Sequence, residues 1–266
     1  MGETRVIRLL EWLKLRVIYS LILGEMIVRI WFAPRLWMLR LLKRDAAADA
    51  LVNRAASRWS RGIMGRFHCE VVVEGLHFLP PAGPVIIAAN HQSLFDIPVC
   101  MGYLGRMMGF VAKKELFRIP GLSFWMRQIH CASLDRDDIA GGGRLLEALG
   151  QNVRDQGICM IIFPEGTRSR HPDAEVGPFK RGSLRIARAA GIPVVPLSID
   201  GTRFIVSPPH LRATRAGGRV VRLKLGPPRI PPPLEAPAPE AKRFMDTLRD
   251  TIVSNRESIR VHWPRD

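Results

Sequence analysis

Apolar positions along the chain fall into two regimes. In residues 1–44 they recur with a helical period: Val6, Leu9, Leu10, Leu13 and Val17 share one face, with Arg5, Arg8 and Arg16 on the other. Pro34 breaks this pattern, and Leu36, Leu39, Leu41 and Leu42 predict a second helix beyond it. Residues 45–56 are polar and alanine-rich and predict a helix leading into the main body. From residue 67 onward, short β-branched runs alternate with helical patterns. Strands are expected at 69–73, 84–89, 108–112, 129–134, 158–163, 194–199 and 219–225, and helices at 142–155, 182–190 and 240–259, the last after a proline-rich link at 227–239. This alternation predicts an α/β fold, a mostly parallel twisted sheet flanked by helices, whose ligands gather at the carboxyl ends of the strands. Two parts follow: an N-terminal membrane-associating segment of amphipathic helices, 1–60, and the main domain, 61–266.

The N-terminal segment has three readings. A bilayer span needs about 20 predominantly apolar residues. Here the longest charge-free run is 17–24, and the window 15–33 carries Arg16, Glu25 and Arg29. An interfacial helix pair, with arginines among lipid headgroups and Trp12, Trp31 and Trp37 at the boundary, suits the pattern better. An ordinary packed helix is the third reading. The expected location is peripheral, on the cytoplasmic face of the membrane. No signal peptide is expected, because charges interrupt the apolar region and no small-residue cleavage site follows.

The net charge of +16 asks for an acidic partner: nucleic acid, an anionic membrane or an anionic substrate. Only 7 of the 40 basic residues are lysine, an arginine skew that composition alone can produce. No zinc finger, RNA-binding aromatic motif or long basic run is present, so no nucleic-acid partner is expected. Cys69, Cys100, Cys131 and Cys159 lie far apart, without metal-ligand spacing, and read as small buried residues; no metal and no cofactor are expected.

Three stretches carry chemistry. In VIIAANHQSLFD a buried strand runs into Asn90, His91 and, five residues on, Asp96. One helix would not bring His91 and Asp96 to one face, but a turn at His91 followed by a helix beginning near Asp96 would. Ser93 and Asp96 also have the spacing of a capping box. The pair reads either as a general base with its orienting carboxylate or as a capping Asp beside a satisfied core histidine. In FPEGTRSR, Gly166 permits close backbone approach, and Thr167 and Arg168 offer donors to an anion; the alternative is a polar turn with Glu165 and Arg168 as a surface ion pair. In AKKELFRIPGLSFWM, Lys113 and Lys114 end a strand, and the apolar run after them either lines an acyl pocket, touches lipid or packs in the core. Ser93 is a conceivable nucleophile, although G-x-S-x-G is absent.

The order NHQSLFD, KKELFRIP, FPEGTRS and GIPVVPLSI, with CASLDRD at 131–137, resembles the four blocks of the glycerolipid acyltransferase family, best known for 1-acyl-sn-glycerol-3-phosphate acyltransferases; the resemblance covers roughly 70–205. It implies His91 and Asp96 as the catalytic pair. It implies that Glu165, Gly166, Thr167 and Arg168 bind the acceptor's phosphate, and that Lys113 and the stretch 192–196 shape the substrate sites; Asn90, inside the first block, is counted with the substrate-binding residues. It further implies a lysophospholipid acceptor, acyl-CoA or acyl-carrier protein as co-substrate, and in some members an N-terminal two-helix membrane anchor. One departure is IPGLSFW at 119–125, where many relatives carry a bulkier residue after the proline and a glycine further on; it bears on acyl-chain preference. The same chemistry on another acceptor, such as glycerol 3-phosphate or a lyso-ornithine lipid, and a non-catalytic basic lipid-binding protein are the competing readings.

Overall fold

The computed structural model describes residues 20, 24–25, 29–134, 139–169, 175–180, 182–205 and 219–261. The first predicted amphipathic helix falls almost wholly outside them. A short 3-10 turn (Arg29–Phe32) leads into α1 (Ala33–Leu41), where Pro34 sits in the first turn and costs no hydrogen bond. Among the described residues no helix is long and apolar enough to cross a membrane.

Helix α2 (Asp45–Arg66) is longer than its polar, alanine-rich start predicted. Residue 60, the expected end of the N-terminal segment, lies inside it. Ala48, Val52, Ile63 and Met64 are all buried in the core, which also takes in Leu36 of α1, so core packing begins ahead of residue 61. Among the described residues seven strands follow: β1 (Cys69–Glu74), β2 (Val85–Ala89), β3 (Gly109–Lys113), β4 (Ala132–Leu134), β5 (Cys159–Ile162), β6 (Val194–Asp200) and β7 (Arg219–Leu225). Between them lie α3 (Asp96–Tyr103), α4 (Leu122–Gln128), α5 (Ile139–Asp155) and α6 (Arg185–Ala190), and α7 (Ala238–Ser258) closes the described chain. The sheet order is β1-β7-β6-β2-β5-β3-β4. Every pairing is parallel except β6 with β7.

β2 is apolar on both faces because both are covered. Val85, Ile87 and Ala89 join one core layer with α2 and α3, whereas Ile86 and Ala88 join the other with α6 and α7. In α7, Ala241, Met245, Leu248 and Ile252 form the stripe that packs on this second face. β4 begins at Ala132 rather than at 129, since His130 holds φ at 60°, which no strand residue adopts. The helix expected from 182 begins at Arg185, after a turn.

β2 occupies the middle of the sheet, between β6 and β5. The chain leaves β2 toward β3 on one side, and leaves β6 toward β7 on the other. The crevice outside the carboxyl ends of these two strands is therefore a topological switch point, where α/β sheets place their ligands.

Candidate active site

The loop after β2 carries Asn90, His91, Gln92 and Ser93, and α3 opens on Asp96. The turn folds the side chain of Asp96 back onto this loop. Its Oδ2 accepts from His91 Nδ1 at 2.7 Å, from the Gln92 backbone N–H at 2.7 Å and from the Ser93 backbone N–H at 3.0 Å. Its Oδ1 accepts the hydroxyl of Thr202. Asp96 Oδ2 thus bonds both the Ser93 N–H and His91 Nδ1, although α3 takes Phe95 and not Ser93 as its N-cap. A fully buried carboxylate is satisfied here by four donors.

Phe163, at the end of β5, stacks on the imidazole with centroids 4.0 Å apart and planes 19° apart. With Nδ1 on the carboxylate and one face on Phe163, the ring is fixed in direction. Its Nε2 has no partner among the described residues, and the side chain keeps 17% of its surface open. Ser93 is unsuited to be a nucleophile, because its Oγ donates to the Thr202 carbonyl at 3.1 Å and accepts from Phe95 N–H at 3.1 Å.

Two residues expected at the substrate have other tasks. The carboxamide of Asn90, 1% exposed, is spent on the backbone of Ile199: Nδ2 donates to its carbonyl at 2.9 Å, and Oδ1 accepts its N–H at 2.8 Å. Asn90 is a strut between β2 and β6, with both atoms of its carboxamide engaged there. Glu165, buried at 6%, makes no ion pair with Arg168. Its Oε1 accepts the backbone N–H of His91 at 2.8 Å, and its Oε2 accepts that of Gly177 at 2.8 Å. A carboxylate would repel a phosphate, and here it binds the loops together instead. Burial raises the proton affinity of Glu165, opposed by these two N–H groups and by His91.

The rest of the FPEGTRS motif faces outward. Gly166 adopts φ 67°, and a Cβ there would lie 2.8 Å from Lys180 Cε and 2.9 Å from its Nζ. The left-handed turn is what favours glycine, since the Lys180 side chain is flexible and can move aside. Thr167 and Arg168 are exposed, and among the described residues Arg168 has no acidic partner. The Ser169 N–H donates to the His91 carbonyl at 2.9 Å, which fixes the motif beside the histidine. Lys113 is exposed at the end of β3. The stretch 192–196 is mostly interior: Ile192, Val194 and Val195 are core residues that reach the site only through β6.

Beside α3 lies an apolar cavity of about 130 Å³, walled by α2, α3, β3, α4 and the chain entering β4. Trp59, Ile97, Phe110, Leu122 and Trp125 are among its lining residues, so the apolar run after Lys114 does line a pocket. Of the lining residues, Ile97 follows Asp96 directly in the chain and Ala112 precedes Lys113. Cys131 also lines it, and burial pushes its thiol up to about 12, unlike a reactive nucleophile. Among the described residues no group of three His, Cys, Asp or Glu side chains gathers to hold a metal ion.

Residues 70–200, the stretch that contains the dyad, the FPEGTRS loop and β2 to β6, match the family model described as Acyltransferase. This part of the chain is an acyltransferase-family domain. It is similar to a chloroplastic 1-acyl-sn-glycerol-3-phosphate acyltransferase of Brassica napus, 36% identical over 135 residues, 50% of this chain and 38% of that protein. It is also similar to the alpha form of the same enzyme from Mus musculus, 30% identical over 156 residues, 58% of this chain and 53% of that protein. The matched segments thus span about half or less of these relatives' own length. The crystal structure of the 1-acyl-sn-glycerophosphate acyltransferase of Thermotoga maritima superposes with a TM-score of 0.70 at 28% identity, over 95% of this chain and 99% of that one. The fold of the acyltransferase domain, including its central parallel sheet, is shared with that structure.

Among the residues around His91 and Gly166 that the sequence did not single out are Lys180, which lies over Gly166, and Thr202, which holds Asp96. Thr202 had a signal, since it stands just past a predicted strand end, where such folds collect polar function. Lys180 had a fainter one, as one of 7 lysines in an arginine-rich chain.

Proposed function

We propose that this chain is an O-acyltransferase that moves a fatty-acyl group from acyl-CoA or acyl-carrier protein to the free hydroxyl of 1-acylglycerol 3-phosphate, giving phosphatidate. The observation that carries the reading is the ring of His91, directed by Asp96 at 2.7 Å, with the FPEGTRS loop and its exposed cation Arg168 tied to the same turn by the Ser169 N–H on the His91 carbonyl. The cavity suits an acyl chain. Arg168, with Lys180 and Lys113, suits a phosphate monoester, which a guanidinium grips with two parallel hydrogen bonds.

In this reading His91 Nε2 takes the proton of the acceptor hydroxyl as its oxygen attacks the thioester carbonyl. Asp96 stabilises the imidazolium that forms. The tetrahedral intermediate collapses, the C–S bond breaks, and His91 returns the proton to the thiolate. The ester and the free thiol leave, and no acyl-enzyme and no cofactor are involved. Such general-base catalysis contributes typically about 10²–10⁴-fold.

The membrane surface is the proposed workplace. On and beside α1, Trp31 is 86% exposed, Trp37 67% and Leu41 63%, and Arg35, Lys43 and Arg44 are close in sequence. Aromatic and apolar groups beside cations suit the headgroup boundary of an anionic bilayer, and support a peripheral position on the cytoplasmic face.

The test is a panel of acceptors offered to the full chain with one donor: lysophosphatidate, glycerol 3-phosphate, a lyso-ornithine lipid and a neutral lysolipid. Phosphatidate formation that depends on His91 and is fastest with lysophosphatidate is the expected result. Faster acylation of a phosphate-free acceptor would overturn the acceptor assignment, and lipid binding without turnover on any acceptor would overturn the enzyme.

A further inference from the structure

The carboxyl end of β6 holds the catalytic carboxylate by the oxygen that His91 does not use. After Asp200 the chain turns at Gly201 with φ 96°, where a Cβ would meet the Val220 carbonyl oxygen at 2.5 Å. Only glycine makes this turn without strain, and the turn delivers Thr202 to the interior, where it is 0% exposed. Its hydroxyl donates to Asp96 Oδ1. Gln92 Oε1 lies 3.3 Å from the same hydroxyl, but a hydroxyl has one proton and the carboxylate is the stronger acceptor.

The surroundings leave Thr202 little freedom. Ser93 Oγ donates to its carbonyl at 3.1 Å. Gln92 is turned by Asp200, whose Oδ1 accepts from Gln92 Nε2 at 2.9 Å and from Arg256 Nε at 3.1 Å, while its Oδ2 accepts the Val261 N–H at 2.7 Å. Asp200 and Arg256 are themselves buried, at 2% and 5%. The end of β6 and the end of α7 thus brace the loop 90–96 from behind.

We propose that Thr202 is a positioning residue of acyl transfer: its bond to Oδ1 fixes the plane of the Asp96 carboxylate, and so the direction in which Oδ2 holds His91. This rests on His91 as the base. Without the hydroxyl, three donors still pull on Oδ2, but nothing opposes rotation of the carboxylate, and Oδ1 is buried without a donor. The loss falls on the proton-transfer step, because Thr202 is spent on Asp96 and Ser93 and has no group for a substrate.

The experiment compares Thr202→Val, which keeps the shape, with Thr202→Ser, which keeps the hydroxyl, in the full chain on lysophosphatidate and an acyl thioester. His91→Ala is measured alongside. Thr202→Val is expected to lose about 10- to 100-fold in kcat, the range for one hydrogen bond to a charged group, with both KM values within about threefold. Thr202→Ser is expected to recover most of the turnover. A Thr202→Val enzyme within about threefold of the parent kcat overturns the assignment, as does a Thr202→Ser enzyme equally impaired, since the γ-methyl and not the hydroxyl would then matter. Should Thr202→Val not fold, Thr202→Cys, of similar size with a weak S–H donor, replaces it in the same comparison. Full turnover by His91→Ala removes the underlying mechanism, whereas an inactive His91→Ala beside an unimpaired Thr202→Val removes the role of Thr202 alone.

Discussion

Replacing Asp96 by asparagine should separate the charge of the dyad from its geometry. The carboxamide of Asp96→Asn has one oxygen and one amide nitrogen to place in two distinct environments. The Oδ2 corner receives the N–H groups of Gln92 at 2.7 Å and Ser93 at 3.0 Å, neither of which can accept, so the oxygen belongs there. The amide nitrogen then faces the hydroxyl of Thr202, which can turn to accept it. His91 still donates from Nδ1 to an oxygen, and its tautomer and direction survive. What disappears is the negative charge opposite the imidazolium. At the observed 2.7 Å between closest atoms, and an effective dielectric near 20, that charge is worth about 4 to 6 kcal/mol once the spread of both charges is allowed for. The expected loss in kcat is roughly 10³- to 10⁴-fold, with little change in Tm. Asp96→Ala behaves differently. It leaves two backbone N–H groups buried without acceptors, at about 1–3 kcal/mol each, a serious fraction of the roughly 5–15 kcal/mol that holds a domain folded. The assay is steady-state phosphatidate formation beside thermal unfolding of each variant. An Asp96→Asn enzyme within tenfold of the parent kcat would refute the electrostatic role, and an Asp96→Ala protein as stable as the parent would refute the account of the loop.

Arg168→Lys should raise KM for lysophosphatidate measurably and Arg168→Ala by about ten- to a hundredfold, with a neutral lysolipid acceptor much less affected; equal damage to both would assign Arg168 a structural task. The thiols should resist iodoacetamide at pH 8, because burial pushes Cys69 to about 11 and Cys131 and Cys159 to about 12; with ~0.1% thiolate or less, loss of activity within minutes would contradict their burial. Glu165 has a folded proton affinity above its unfolded one, so its contribution to stability is full below the ordinary glutamate range and declines as pH rises through the raised folded value. Denaturant titrations at stepped pH should show that decline in the parent and not in Glu165→Gln, and parallel curves would refute it.

The parts of the site made within a short stretch of chain were legible in the sequence. VIIAA reads as a doubly covered strand, and the turn it enters brings His91 to Asp96 through local hydrogen bonds. Side-chain direction was less legible. Asn90 and Glu165 are polar residues at strand ends, where facing the ligand and facing a neighbouring backbone leave the same trace in sequence; their partners, Ile199 and Gly177, decide. Thr202, Gln92 and Arg256 were missed because each acts through a contact with a distant segment, and no periodicity encodes such a contact. The core packing of α2 was faint in the sequence because its buried face mixes the small Ala48, Ala55 and Ser60 with Val52, Ile63 and Met64, a face that binary patterning reads as polar. The strand expected at 129 starts late because His130 takes a left-handed conformation that its residue type does not announce.

The stitching of the loop 90–96 to β6 also orders the birth of the protein. Asn90 meets Ile199 across 109 residues, and β1 pairs with β7, Cys69 opposite Arg219. During synthesis β2 leaves the ribosome long before the strand that will flank it, and the histidine turn waits without its brace until β6 and then α7 emerge. A topology so rich in distant pairings folds slowly, and its nascent chain leaves apolar strands unpaired until their neighbours are made. A chain cut before α7 should therefore be a client for proteolysis, because the segment that completes the support of His91 follows every described strand of the sheet in the chain.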